Sequence, residues 1–248
     1  MALSASELSH FHEKGYVVQR GLIPRDWMDA LDEEIESLHE RMAEAPAEGV
    51  GIAWEDEQPA DRPRRIRQLM NSEIVSPTID RITRSDLVLS VMAQLIGPEV
   101  ILYHSKLLMK AAHDGTFTPW HQDWGYWHQW IHDPTQINCM LAIDRADESN
   151  GAIRFVEGSH KPGLRDHINI KSNSFSIALE GDLDAYDGKL IEMDPGDCVF
   201  FGPLVIHGSG PNTSSHDRRA NTAAFDKPHN FKSQPFKADR VRLGAPVG

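Results

Sequence analysis

The chain has 248 residues, 13 histidines and a formal net charge of −12. So acidic a protein is a poor partner for nucleic acid or an anionic membrane, and no apolar run approaches the roughly 20 residues of a membrane-spanning helix. Cys139 and Cys198 make no disulfide framework; each lies in an apolar run, which predicts buried free thiols, a reducing compartment and, with no basic, apolar leader, a cytoplasmic location.

Ser4-Ala5-Ser6-Glu7 has the spacing of a capping box, and Gly15 can close the short helix that follows. Residues 16–20 read as a strand. Pro24 suits the first turn of a second helix, in which Trp27, Leu31, Ile35, Leu38 and Met42 form a core-facing stripe. Residues 45–62 carry Pro46, Gly49, Gly51, Pro59 and an acidic run and read as loop, and the composition of 45–75 allows a lid without establishing one. Arg62-Pro63-Arg64-Arg65-Ile66-Arg67 then sets four guanidinium groups in six residues. Such a run is more commonly a solvated face offsetting nearby carboxylates; its functional reading is the anion-facing wall of a substrate pocket, with Arg65 and Arg67 as the candidates. Ser85 caps a helix over 87–95, closed by Gly97.

The pattern changes at residue 100. A long strand over 100–110 puts His104, Lys106, Leu108 and Lys110 on one face, and shorter β runs follow at 137–143, 152–156, 175–179, 189–193, 198–201 and 220–225. Turn signals such as Ser149-Asn150-Gly151 and Pro195-Gly196-Asp197 separate them. Helices first and short strands afterwards predict a mainly β protein: a double-stranded β-helix (jelly roll, cupin-like) over 98–230 with a helical N-terminal layer, 1–97, packed on it. No linker-like stretch divides the chain, so 1–248 is expected to form one domain.

Within this frame, Pro119-Trp120-His121-Gln122-Asp123 stands out. In an extended segment His121 and Asp123 leave the same face and supply two ligands of a 2-His-1-carboxylate site, which holds Fe(II) with three positions open. One H-x-D is about what chance provides in so His- and Asp-rich a chain, so the weight comes from context. His207, amid small residues after a buried strand, is the best third ligand, although a buried His bonded to backbone is the commoner case. Eleven residues on, Arg218 or Arg219 could point inward to bind a carboxylate at a fixed distance from the metal.

These residues, with the Ser149-Asn150-Gly151 turn, Glu157-Gly158-Ser159-His160-Lys161, the Pro-Gly-Asp turn and His207-x-Ser209, resemble the phytanoyl-CoA dioxygenase family of Fe(II)/2-oxoglutarate-dependent oxygenases, which includes the ectoine hydroxylases. The resemblance runs from the strand at Tyr16 to about Asp226. It implies His121, Asp123 and His207 as iron ligands, Arg218 as the anchor of the distal carboxylate of 2-oxoglutarate with Ser209 assisting, and Lys106 and His104 as further cosubstrate contacts. Arg219 is then expected to face outward. It further implies an enzyme that converts 2-oxoglutarate and O2 to succinate and CO2 while oxidising a small-molecule substrate. Halogenating relatives replace the carboxylate ligand by a small residue; with Asp123 present, hydroxylation is expected.

Trp124, Tyr126, Trp127 and Trp130 crowd the segment after the ligands, and Trp127 is the candidate substrate contact among them. Trp120 through His128 matches the ectoine hydroxylase pattern W-H-x-D-x-x-x-W-H, but 129–134 departs from it, so ectoine is not implied. The phosphates of an acyl-CoA want a basic groove that this acidic chain does not offer. A small polar or anionic metabolite, met by Lys106 or the arginine run, is the expected substrate. Two other readings remain: a cupin-like metalloenzyme that does not use 2-oxoglutarate, and a non-catalytic jelly-roll binding protein. Arg218 separates the first of these, because it has an obvious role only when a dicarboxylate binds.

Overall fold

Local chemistry sets the first helix. In α1 (Ala5–Lys14) the Ser4 side chain accepts from the Glu7 backbone N–H while the Glu7 carboxylate accepts from the Ser4 N–H, and Gly15 leaves the helix at φ +93°, where a side chain would be strained. The computed structural model describes residues 2–55, 65–113, 115–170, 176–232 and 242–244. After β1 (Tyr16–Gln19) comes α2 (Arg25–Glu44), in which Leu31, Ile35, Leu38 and Met42 are buried and Trp27 is half-buried under the Arg81 guanidinium.

The 45–62 segment departs from expectation. Its described part contains β2 (Gly51–Trp54), which pairs with β3 (Ile66–Met70), and β3 pairs in turn with the long central strand, so the flanks of the expected loop form one end of a sheet. Half-exposed Ile52, Ala53 and Trp54 give no clear alternation, which is why the pattern hid the strand. Arg62 and Arg64, part of the arginine run, lie outside the described residues. Helices α3 (Pro77–Thr83) and α4 (Asp86–Leu95) follow, capped by the Ser76 and Ser85 hydroxyls.

The β region comprises β4 (Glu99–Lys110), β5 (Thr118–His121), the one-turn helix α5 (Trp124–Trp127), β6 (Ile137–Ala142), β7 (Ile153–Phe155), β8 (Ile168–Asn169), β9 (Ile177–Ala178), β10 (Lys189–Leu190), β11 (Cys198–Phe201), β12 (His207–Ser209), β13 (Arg218–Asp226) and β14 (Arg242–Gly244). The major sheet runs β1-β11-β6-β13-β4-β3-β2 with β14 also on β4, and the facing sheet runs β10-β7-β12-β5. All pairs are antiparallel, and the architecture is a jelly roll.

Alternation along the central strands divides the interior. Ile137, Cys139 and Leu141 of β6, with Cys198 and Phe200 of β11, pack against the helical layer, whereas Met140, Ala142, Val199 and Phe201 face the second sheet. Because β6 is buried on both faces it reads as a continuous apolar run, broken by one polar residue, Asn138. Both cysteines are free and buried.

Candidate active site and metal centre

Strand pairing brings together residues far apart in sequence. His121 ends β5 and His207 begins β12, and the two are direct cross-strand partners with ring centroids 4.2 Å apart. Asp123 arrives differently from expectation. The strand stops at His121, and Asp123 lies in helical conformation (φ −58°, ψ −29°) at the entry to α5, so a turn rather than the period of a strand swings its carboxylate towards the histidines. Oδ1 lies 3.6 Å from His121 Nε2 and Oδ2 lies 3.7 Å from His207 Nε2. One donor atom from each residue falls within 4.8 Å of the others, a spacing one metal ion can bridge, and all three side chains are buried.

Backbone carbonyls fix which ring nitrogens are engaged. His121 Nδ1 donates to Pro119 O at 2.8 Å and His207 Nδ1 donates to Val205 O at 3.0 Å, leaving the Nε2 lone pair of each ring available to a metal ion. Gln122, between the two ligands, is fully buried; its amide donates to Gly163 O and Leu204 O and accepts from Arg165 N–H, latching the ligand turn to two loops. Burial, reinforced by His121, pushes His207 down to about 4 against the pull of Asp123, so its imidazole is neutral near pH 7. Burial opposes ionisation of Asp123, but His207, His121 and Lys106 outweigh it and hold the carboxyl well below the usual range. Both groups are therefore in the protonation state that a metal requires.

Asn138 supports the carboxylate. Its Nδ2 donates to Asp123 Oδ2 at 2.8 Å, with both residues buried. Truncating Asn138 to alanine is expected to weaken ferrous-ion binding by roughly ten- to hundredfold, the usual cost of losing a partner of a metal ligand. Equilibrium titration of apo-protein checks this; unchanged affinity would show that the turn alone holds Asp123.

Arg218 opens β13, is buried, and lines the same cavity as the three ligands and Ser209. Nη2 donates to Gly151 O at 3.0 Å, while Nε and Nη1 are buried and have no partner among the described residues. Burial lowers its pKa to about 10, with Asp144 opposing and Arg67 adding to the shift, so it stays charged at neutral pH. A buried cation with two donors left unmet among the described residues is the chemical complement of a carboxylate. Arg219, its neighbour, faces the other way and pairs with Asp144 and Asp32.

The remaining expectations divide. Lys106 and Arg67 line the cavity, and Arg67 donates to Phe117 O. Arg65 does not line it; half-exposed, it pairs with Asp217. His104 and Trp127 also lie outside the cavity lining: their rings pack edge-on at 5.7 Å in an aromatic cluster with Tyr103, because α5 folds back over β4. Lys110 was not anticipated. It sits opposite Arg218 in the β4–β13 register and donates to Gly210 O, and its sequence signal was its place on the His104–Lys106–Leu108 face.

A jelly roll that gathers two histidines and an aspartate beside a buried, unsatisfied arginine defines a non-haem Fe(II)- and 2-oxoglutarate-dependent dioxygenase. Residues 11–220 match the family model described as phytanoyl-CoA dioxygenase (PhyH), and the chain belongs to that family. Among relatives, a probable alpha-ketoglutarate-dependent hypophosphite dioxygenase of Stutzerimonas stutzeri is 27% identical over 198 residues, covering 75% of this chain and 68% of its own. The ectoine dioxygenase of Bordetella parapertussis is 24% identical over 254 residues, covering 94% and 79%. EctD from S. alaskensis, solved with 2-oxoglutarate and 5-hydroxyectoine, superposes with a TM-score of 0.71 at 18% identity, over 92% of this chain and 77% of that one. Iron and 2-oxoglutarate are the cofactors; bound together, they supply O2 activation coupled to decarboxylation of the keto acid to succinate and CO2. Among the described residues no helix is long and apolar enough to cross a membrane.

Proposed function

We propose that this dioxygenase hydroxylates a small polar or anionic metabolite, with His121, Asp123 and His207 holding iron and Arg218, assisted by Ser209, anchoring the distal carboxylate of 2-oxoglutarate. The observation that carries the site assignment is the pair of buried donors on Arg218 that have no partner among the described residues, in the same cavity as His121, Asp123 and His207. The cupin-like alternative leaves those donors without a purpose. Retention of a carboxylate at Asp123, where halide would otherwise bind, supports oxygen transfer to the substrate. The cationic wall of Arg67 and Lys106 supports a substrate with acceptor oxygens, as does the relative named for hypophosphite. The buried free thiols support a cytoplasmic setting, and a core shared by helices and sheet supports one catalytic domain.

Screening small carboxylates, phosphonates and reduced phosphorus oxyanions for stimulated succinate release tests the reading. The expected hit yields a product heavier by one oxygen atom; chlorinated product in chloride buffer would contradict hydroxylation. With the substrate in hand, Arg67→Ala is expected to raise its KM roughly tenfold or more, the value of one charge-assisted contact, with uncoupled 2-oxoglutarate turnover nearly unchanged. Arg65→Ala is expected to leave that KM where it was, because Arg65 is committed to Asp217 outside the cavity. Matching shifts in the two variants would mean that the run acts through long-range charge and not through a wall.

A further inference from the structure

We infer that Gly151 is a positioning residue for the cosubstrate: its main chain, pressed against that of Gly210, sets the two carbonyls that hold Arg218 and Lys110. This rests on the iron and 2-oxoglutarate reading of the cavity and deepens it by naming what aims the carboxylate-binding end.

Strand pairing brings the two glycines together. β7 and β12 are antiparallel with Ser209 opposite Ile153, so the chain leaving β12 at Gly210 runs beside the chain entering β7 from Gly151. Asn150 staples the turn that delivers Gly151, accepting from Asp147 N–H and donating to Arg145 O. Ser149 O accepts from both the N–H and the hydroxyl of Thr213, which ties this turn to the one after Gly210. Gly151 has φ +76°, and a Cβ on it would lie 2.4 Å from Gly210 O and 3.0 Å from Pro211 O. Both are main-chain atoms, which cannot swing aside as the end of a side chain can. The left-handed conformation alone would admit asparagine as well as glycine; the contact admits only glycine.

Each of the touching glycines holds one cation. Gly151 O accepts from Arg218 Nη2, and Gly210 O accepts from Lys110 Nζ. Arg218 and Lys110 are direct partners in the β4–β13 register, and both are buried and line the cavity. Tethering Nη2 fixes the guanidinium plane and with it the directions of Nε and Nη1, the two donors with no partner among the described residues. Ser209, expected to assist Arg218, directly precedes Gly210. A methyl group at position 151 must part the two turns, and whichever turn yields takes a carbonyl with it and releases the cation bound there. The metal ligands are braced elsewhere, by Pro119 O, Val205 O and Asn138, none of which belongs to either turn.

The test reads binding and requires no turnover. Half-saturation of the visible charge-transfer band is measured anaerobically on Fe(II)-loaded protein with 2-oxoglutarate and with 2-oxobutyrate, which has the same chelating end and no distal carboxylate. In Gly151→Ala the 2-oxoglutarate value is expected to rise about tenfold or more, whereas the 2-oxobutyrate value and the ferrous affinity stay within about twofold of wild type. Gly21→Ala, at φ +56° with no atom within 4 Å of a Cβ, imposes left-handed strain without the contact and is expected to change none of the three. Should Gly151→Ala fail to fold by circular dichroism, Asn150→Ala carries the comparison: it loosens the same turn without adding a clash, and the 2-oxoglutarate value alone should rise about fivefold. Equal losses for the two keto acids would overturn the inference, because damage that ignores the distal carboxylate does not act through Arg218. An unchanged 2-oxoglutarate value, or a matching rise in Gly21→Ala, would overturn it too. A wild type without the band would instead defeat the underlying oxygenase reading.

Discussion

Replacing Asp123 with alanine is expected to abolish 2-oxoglutarate-dependent succinate formation. The residue is the single carboxylate of the triad, its Oδ1 and Oδ2 facing the two Nε2 atoms at 3.6 and 3.7 Å. Without it two neutral imidazoles remain, and ferrous affinity should fall by more than the roughly ten- to hundredfold that loss of a hydrogen-bonding partner to a ligand costs. The fold should survive. Asp123 sits in a turn at the entry to α5, held by the backbone contact of Trp124 N–H to Pro203 O and by the Gln122 latch, neither of which uses the Asp123 side chain. Circular dichroism and metal titration on one preparation check both halves. Retained succinate formation at saturating iron would mean that the carboxylate is not a ligand.

Replacing Arg218 with methionine is expected to act on the cosubstrate instead. Two buried donors, Nε and Nη1, have no partner among the described residues, and a carboxylate that takes both makes a bidentate, charge-assisted contact. Losing two such bonds should raise the KM for 2-oxoglutarate by roughly a hundredfold or more, while iron affinity changes little. Lysine should rescue poorly, because one ammonium cannot reproduce the planar fork. The apo-variant should be no less stable than the wild type, since the substitution removes unsatisfied buried donors and gives up one bond, to Gly151 O. A KM unchanged in Arg218→Met would take the arginine out of the cosubstrate site.

What the sequence made legible, and what it hid, follows from the range over which each signal acts. Caps and helical stripes are local, and Ser4, Gly15, Ser85 and Leu31 through Met42 behave as their spacing predicts. The jelly roll was readable because alternating and continuous apolar runs mark strands whatever they pair with. The His121 and Asp123 pairing was reached through a strand geometry that the chain does not use: the strand ends at His121, and the turn does the work. Residues whose role depends on register were not singled out. Lys110 matters because it lies opposite Arg218, and Asn138 because β6 passes beside Asp123. A lone polar residue at an inward position of an otherwise apolar strand was the signal available for Asn138. Trp127 and His104 were drawn into the candidate site by proximity in sequence and face, yet α5 packs them against each other and away from the cavity. Arg65 and Arg67 look alike in the sequence; pairing with Asp217 and burial on β3 separate them.

On the proposed reading, His121, Asp123 and His207 hold iron and Arg218 anchors 2-oxoglutarate beside it. Anaerobic titration of 2-oxoglutarate into the Fe(II)-loaded protein tests it most directly, with the visible metal-to-ligand charge-transfer band as the readout. The band should grow to saturation in the wild type, and Arg218→Met should need roughly a hundredfold more cosubstrate to reach the same intensity. A wild-type protein that binds iron yet never develops the band, or an Arg218→Met variant that saturates at the wild-type concentration, would contradict it.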